Sequence, residues 1–305
     1  MTKPRLLLSV TNESNDFQVE QAKTARQAAA RVGADLEIVS AQDDGIIQSQ
    51  QLLNSIQSDA ATRPNFILFE PAGSTTFPHA ARAAAEAGIG WVVLSRDADY
   101  ITELRSAFPI PAFVVTSNHE EIGRIQGQQL AALVPCGGVV LEIQGPSQSR
   151  AARLRHAGLL ATKPENIQLR TVKAHWTNAS AVKAVTSWLS LSTSRELELA
   201  AVCAQDDSMA MGARTAFEQW PHERCRSWLQ VPFLGCDGMP ETGQEWVRRG
   251  LLAATILSPP TAPVAIDLIG RFLRDGTMPP PCTLTQSIAI PAIEKLCKEQ
   301  TVGHR

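Results

Sequence analysis

Short runs of consecutive apolar residues along this chain alternate with longer stretches whose apolar positions recur every three or four residues. "RLLLSVT" (5–11) reads as a strand and "FQVEQAKTARQAAARVG" as an amphipathic helix stopped at Gly33, a natural helix end. "DLEIVS" (35–40), a helix over about 45–58, "NFILFEP" (65–71), a helix in "FPHAARAAAEAG" and "GWVVLSR" (90–96) follow. "AFVVTS" (112–117) then precedes a helix from about His119 to Val134. The second half repeats the rhythm: "GGVVLEIQG", "IQLRTVKA", "LELAAVCAQ", "VPFLGCDG" and "LLAATILS" read as strands separated by helices. Strands alternating with helices of this length predict βαβ units and parallel sheets. The expected fold class is α/β, with two similar lobes divided near Thr116–Asn118.

In parallel α/β sheets, ligands bind beyond the carboxyl ends of the strands. The polar residues at those ends are therefore the informative ones: Asn12 to Phe17, Glu70, Ser95 to Asp97, Ser117–Asn118, Gln144, His175–Trp176, Gln205 to Asp207, Asp237 and Ser258. Their number in both series predicts a ligand cleft between two lobes, without naming a ligand.

Composition narrows the function. The 305 residues are 44% hydrophobic and 19% charged, which suits a globular chain with a sizeable core. Net charge is −2 and no Lys/Arg run occurs, so nucleic-acid binding has little electrostatic support. The longest apolar runs fall short of the roughly 18–20 residues of a membrane helix. Leu6 to Val10 is too short for a secretory signal core. The chain as written therefore shows no export signal, and the expected location is the cytoplasm if Met1 is the true start, or outside it if a leader was removed. Six cysteines (Cys136, Cys203, Cys225, Cys236, Cys282, Cys297) have irregular spacing and are expected to be buried thiols. No dinucleotide fingerprint, phosphate loop or nucleophile elbow is present. His79, His119, His156, His175, His222 and His304 lack metal-ligand spacing and read as surface or cap residues. No metal and no cofactor is expected.

Adjacent acids in "VCAQDDSMAMGA" (Val202 to Ala213) raise a separate question. They lie between a strand and a helix whose inward face carries Met209, Ala213, Ala216 and Phe217. Asp207 is expected to cap that helix and Asp206 to point at a ligand.

This segment also carries a resemblance. "QDDSMAMGA" is similar to the "QNDxMAxGA" of the ribose-binding-protein-like branch of the type I periplasmic sugar-binding proteins, which share a fold with lactose-repressor-type effector domains. "GCDG" corresponds to the family's "GFDG", "LLAATILS" to "xLxATIxQ", "VVLSRD" to "VxxxDR" and "AARLRHAG" to "xxRxxGF". The motifs occur in family order and run nearly end to end.

The resemblance implies two Rossmann-like lobes with parallel sheets, joined by a three-crossover hinge and closing on a sugar. It implies an N-terminal lobe of 1–117 plus 259–282 and a C-terminal lobe of 118–258 plus 283–305. It places Phe17 and Trp176 against the two sugar faces, and Arg96 and Arg155 as forked donors to hydroxyls or the ring oxygen. Asp206 and Asp237 become hydroxyl acceptors, and Asn15 belongs to the loop beside Phe17. Ser95 replaces an acid, Asp206 an asparagine and Ser258 a glutamine, with Asp97 a partial substitute for the lost acid. These departures move the expected ligand away from ribose itself, towards a larger or differently substituted sugar.

The implied function is a non-enzymatic, monomeric carbohydrate-binding protein serving an ABC importer permease or a chemoreceptor, without nucleic acid or membrane insertion. The alternative is a cytoplasmic sugar sensor related to repressor effector domains. No helix-turn-helix precedes the first strand, which weighs against direct DNA binding.

Overall fold

The computed structural model describes residues 3–73, 77–221 and 223–302. The first series runs β1 (Arg5–Val10), α1 (Asp16–Val32), β2 (Asp35–Ser40), α2 (Gly45–Gln57), β3 (Phe66–Phe69), α3 (Pro78–Glu86), β4 (Gly90–Leu94), α4 (Ile101–Ala107) and β5 (Ala112–Ser117). The second begins with α5 (His119–Leu133), β6 (Gly138–Gln144), α6 (Arg150–Thr162), β7 (Ile167–Lys173), α7 (Asn178–Leu189) and α8 (Ser192–Arg195). It continues with β8 (Leu199–Ala204), α9 (Asp207–Gln219), α10 (Glu223–Trp228), β9 (Phe233–Leu234), α11 (Gly243–Arg248) and β10 (Thr255–Leu257). The chain ends with α12 (Thr261–Asp275), β11 (Cys282–Thr285), β12 (Ile288–Ile290) and α13 (Ile293–Val302).

Two compact units result. One comprises the chain up to Ser117 together with Pro260–Thr285; the other comprises Asn118–Pro259 and the chain from Gln286. The polypeptide passes between them three times, at 117–118, 259–260 and 285–286.

In the first unit a six-stranded sheet has the order β11-β5-β4-β3-β1-β2, every pair parallel. Such a sheet is apolar on both faces because helices cover both. Leu6, Leu8 and Val10 of β1 pack with Ala25 and Ala28 of α1 and Ala262, Ala265, Ile266 and Ile269 of α12. Leu7, between them, points the other way, towards Leu52 and Ile56 of α2 and Ala80 and Ala84 of α3. The period-two alternation of a strand thus feeds two cores.

The second unit is built alike. Its parallel sheet has the order β7-β6-β8-β9, while β10 and β12 form an antiparallel pair. Leu141, Ile143 and Val202 pack with α7 and α9 through Ala181, Val185, Met209, Ala213 and Phe217. Val140 and Ala201 pack with Leu130, Leu159 and Leu296 on the other face. Met209, Ala213, Ala216 and Phe217 are all buried, as the helical spacing of the segment predicts.

Helix starts follow local chemistry. Side chains of Asn15, Asp44, Asn118, Ser149, Thr177 and Asp206 accept first-turn backbone N–H bonds. Gly33 ends α1 in the left-handed conformation at φ 71°. No helix among the described residues is long and apolar enough to cross a membrane.

Two expectations need correction. Cys203, Cys225 and Cys236 are buried, but Cys136, Cys282 and Cys297 are exposed, because they occupy a loop, the start of an edge strand and the terminal helix. His156 is neither a cap nor a free surface residue: its Nδ1 lies 2.9 Å from Oε1 of the fully buried Glu142. His222 and His304 lie outside the described residues.

Candidate functional site

Each unit gathers polar side chains at the carboxyl edge of its sheet. In the first unit, β1 ends into a loop held by Asn12, whose Oδ1 accepts from the Ser14 and Asn15 amides. Asn15 then caps α1, accepting from the Phe17 and Gln18 amides. Capping fixes where Phe17, half-buried in the first turn, stands. Behind it lies a buried amide network. Gln18 and Gln21 donate to Glu70 Oε2 at 2.9 and 3.3 Å. The Gln21 carbonyl accepts from the Thr261 hydroxyl at 2.9 Å, and the Thr261 hydroxyl lies 3.1 Å from the Ser95 Oγ.

Ser95 follows β4 with φ 59°, a region that non-glycine residues seldom adopt. The turn sends Arg96 across to the Gly73 carbonyl, to which its Nη1 donates at 2.5 Å. Asp97 is exposed. The hydroxyl at 95 is thus tied into its own unit through Thr261. Gln18, Gln21 and Thr261 were not singled out from the sequence. Their signal was two glutamines three residues apart on the inward face of α1, where aliphatic residues are the norm.

In the second unit Arg155, Trp176, Asp206, Asp237 and Ser258 converge. Arg155 extends from α6 and is only 7% exposed. One of its Nη atoms donates to the Gln205 carbonyl. The other lies 3.6 Å from Asp237 Oδ1. The guanidinium stands 5.6 Å from the Trp176 ring centre, within cation–π range. Burial opposes the Arg155 charge, but the Cys236 thiol, Asp237 and Asp206 outweigh it and the pKa is raised. Gln205 braces the cluster, accepting from the Gly145 amide and donating to the Ala152 carbonyl, both at 2.9 Å.

Trp176 has φ 61° and Asp237 φ 96°. Such conformations cost on the order of 1–3 kcal/mol each and persist where surrounding contacts enforce them. For Asp237 those contacts are visible: its amide donates to the Ile256 carbonyl and its own carbonyl accepts from the Ser258 amide, both at 3.0 Å. For Trp176, the indole packs against Gly145, where a Cβ would come within 2.1 Å of the ring.

The cap falls on the first of the paired acids, not on the second as expected. Asp206, not Asp207, caps α9: its Oδ1 accepts from the Met209 amide at 2.5 Å and its backbone is extended. Asp207 is the first helical residue, and its carboxylate turns inward to the Gly238 amide and the Thr255 hydroxyl. The reason is geometric. A capping side chain must sit on a non-helical residue that precedes the first turn, and the helix begins at Asp207, one residue earlier than the sequence reading places it. Burial, then the charge of Asp237, pushes the Asp207 carboxyl well above the usual carboxylate range. Among the described residues no group of three or more His, Cys, Asp or Glu side chains is arranged to hold a metal ion.

Two α/β units with polar carboxyl edges match a known family. The profile of the periplasmic binding protein domain aligns with residues 6–273, most of the chain. The chain belongs to that family. Among curated periplasmic binding relatives, the ribose import binding protein of Escherichia coli is 28% identical over 268 residues, covering 85% of this chain and 81% of that one. Among solved structures, an ABC transporter periplasmic solute binding protein of Actinobacillus succinogenes with bound D-allose superposes with a TM-score of 0.81. It is 22% identical, and the match covers 97% of this chain and 100% of that one. The myo-inositol binding protein of Caulobacter, bound to myo-inositol, gives 0.77 at 19% identity, covering 99% and 97% of the two chains. At those identities the superpositions speak for the periplasmic binding protein fold.

Proposed function

We propose that this chain is a non-enzymatic solute-binding protein that holds a sugar or cyclic polyol and presents it to an ABC importer. The observation that carries the reading is Arg155. It is buried, it faces Trp176 and Asp237, and its Nε has no hydrogen-bond partner among the described residues. An unsatisfied buried donor costs about 1–3 kcal/mol. A ligand oxygen placed there recovers that cost, so the site stabilises a bound hydroxyl or ring oxygen. The Trp176 ring offers an apolar surface to the C–H face of a sugar, while Asp237 accepts from hydroxyls. Phe17, Asn15, Ser95, Arg96 and Asp97 are proposed as the contribution of the first unit, and Asp206 and Ser258 as further contacts in the second. A relative named for ribose, and solved structures with bound D-allose and myo-inositol, support a polyhydroxylated ring as the ligand class.

The test is thermal unfolding against D-ribose, D-allose, myo-inositol and related pentoses, hexoses and amino sugars. Saturation at about a hundred times Kd stabilises by about 2.7 kcal/mol, which raises Tm by several degrees in a chain of this size. The same ligand leaves Arg155→Ala unshifted. No rise in Tm with any of these compounds overturns the reading.

A further inference from the structure

Asp207 lies behind the acid and arginine of the second unit. It is 3% exposed, yet it bonds two separate pieces of chain, the 236–238 turn and β10. Its Oδ2 accepts from the Gly238 amide at 2.7 Å, one residue after Asp237. Its Oδ1 accepts from the Thr255 hydroxyl at 2.6 Å, at the first residue of β10. Its own amide donates to the Cys236 carbonyl at 2.7 Å, one residue before Asp237. Asp237 is thus bracketed on both sides by bonds to one residue.

The space around the carboxylate is closed. A Cβ at Gly235 would come within 2.0 Å of Oδ1, and one at Gly243 within 2.0 Å of Oδ2. The 235–238 turn and the start of α11 are therefore moulded to this side chain. Gln244 adds a bond from its Nε2 to the Gly238 carbonyl at 2.8 Å, and the Asp237 amide and carbonyl continue into β10. No ligand contact is needed to explain any of these bonds.

We infer that Asp207 is a positioning residue: by pinning Cys236 and Gly238 to α9 and β10, it holds Asp237 in its φ 96° conformation facing Arg155. The inference rests on the sugar-binding reading only for its consequence in affinity. The geometric part stands on the second unit alone. An asparagine at 207 keeps an acceptor for the Gly238 amide and leaves its carboxamide able to bond the Thr255 hydroxyl, so it is the conservative variant. Alanine removes both acceptors and strands the Gly238 amide in a buried site.

Two measurements test this. The first needs no ligand: amide hydrogen exchange of Gly238 and Ser258, followed by NMR. Exchange is expected to speed by about tenfold or more in Asp207→Ala, to stay near wild type in Asp207→Asn, and to remain unchanged in β6 of all variants. Unchanged exchange at Gly238, or a uniform rise across the unit, overturns the inference. The second is a double-mutant cycle on affinity for whichever of D-ribose, D-allose and myo-inositol stabilises the wild type. Asp207→Ala alone is expected to weaken binding about tenfold, and to add nothing once Asp237→Ala is present. Additive losses mean that Asp207 acts independently of Asp237 and sink the proposal. If Asp207→Ala does not fold, Thr255→Val removes one of the two anchors and is read in the same way. A wild type that binds none of the three sugars counts against the sugar-binding reading, while the exchange result still decides the positioning role.

Discussion

Asp206 and Asp207 are adjacent, both nearly fully buried, and chemically identical, yet they perform separate tasks one backbone step apart. The sequence reading gives the cap to Asp207, whereas the structure gives it to Asp206 and turns Asp207 inward. Residue type could not settle it, because the difference lies in one φ,ψ pair: Asp206 is extended at φ −147°, ψ 164°, and Asp207 is helical. Trp176, Asp237 and Ser258 were legible because each follows a strand read from the pattern, and Arg155, inside α6, through the motif "AARLRHAG". What the sequence hid is how far they are already committed to one another, through Gln205, Gly145 and Asp207. Capping gives a direct prediction. Asp206→Ala removes the acceptor for the Met209 amide and is expected to lower stability by about 1 kcal/mol. Asp206→Asn, which keeps an acceptor, is expected to cost only a few tenths of that. Urea midpoints at constant m-value measure both. Equal losses in the two variants would mean that charge facing Arg155, and not the cap, is what Asp206 contributes.

At the scale of elements, α1, α2 and α5 were legible almost to their ends from apolar spacing and, for α1, the stop at Gly33, while the caps at Asn15, Asp44 and Asn118 emerge only in the structure. The segment "LLAATILS" was less so, since only Thr255–Leu257 forms a strand, pairing with β12 from the far end of the chain. The contact between β6 and α6 was also hidden. Glu142 sits inside an otherwise apolar strand, and nothing in its neighbourhood in sequence shows that His156 covers it. Its carboxylate is held by His156 Nδ1 at 2.9 Å and the Thr171 hydroxyl at 3.1 Å. The hydrogen bond to Glu142 raises the His156 pKa above its ordinary 6.5, against the opposing effects of partial burial and of Lys173. A raised folded-state pKa stabilises fully below the unfolded value and loses that contribution as pH rises through the folded value. The gap in Tm between wild type and His156→Gln is therefore expected to be widest near about pH 5.5 and to narrow towards about pH 8. Thermal melts across that range check it; a gap that is constant or widens with pH refutes the pairing as a source of stability.

Across the whole molecule, the alternation of strands and helices made the α/β class and two series legible, whereas the interleaving of the units comes from contacts remote in sequence. α12 and β11 follow the second series in the chain but complete the first unit. Ala262, Ala265, Ile266 and Ile269 of α12 are fully buried against β1, β3, β4 and β5. β11 pairs with β5 from Cys282 to Thr285 and occupies the sheet edge. The two isoleucines alone contribute about 1.5–3 kcal/mol each by burial, a large part of the roughly 5–15 kcal/mol that holds a domain folded. A fragment of residues 3–117 would expose that face, leave the β5 edge unpaired and strip Gln21 of its Thr261 partners. It is expected to melt without cooperativity and to bind a hydrophobic dye. Joining residues 3–117 through a short glycine–serine linker to 260–285 restores the missing helix and edge strand, and is expected to restore a cooperative melt with little dye binding. Circular dichroism and dye fluorescence on the two fragments read the result. A cooperative transition in residues 3–117 alone would show that the first series folds without its returning segment, and that the crossovers serve something other than its core.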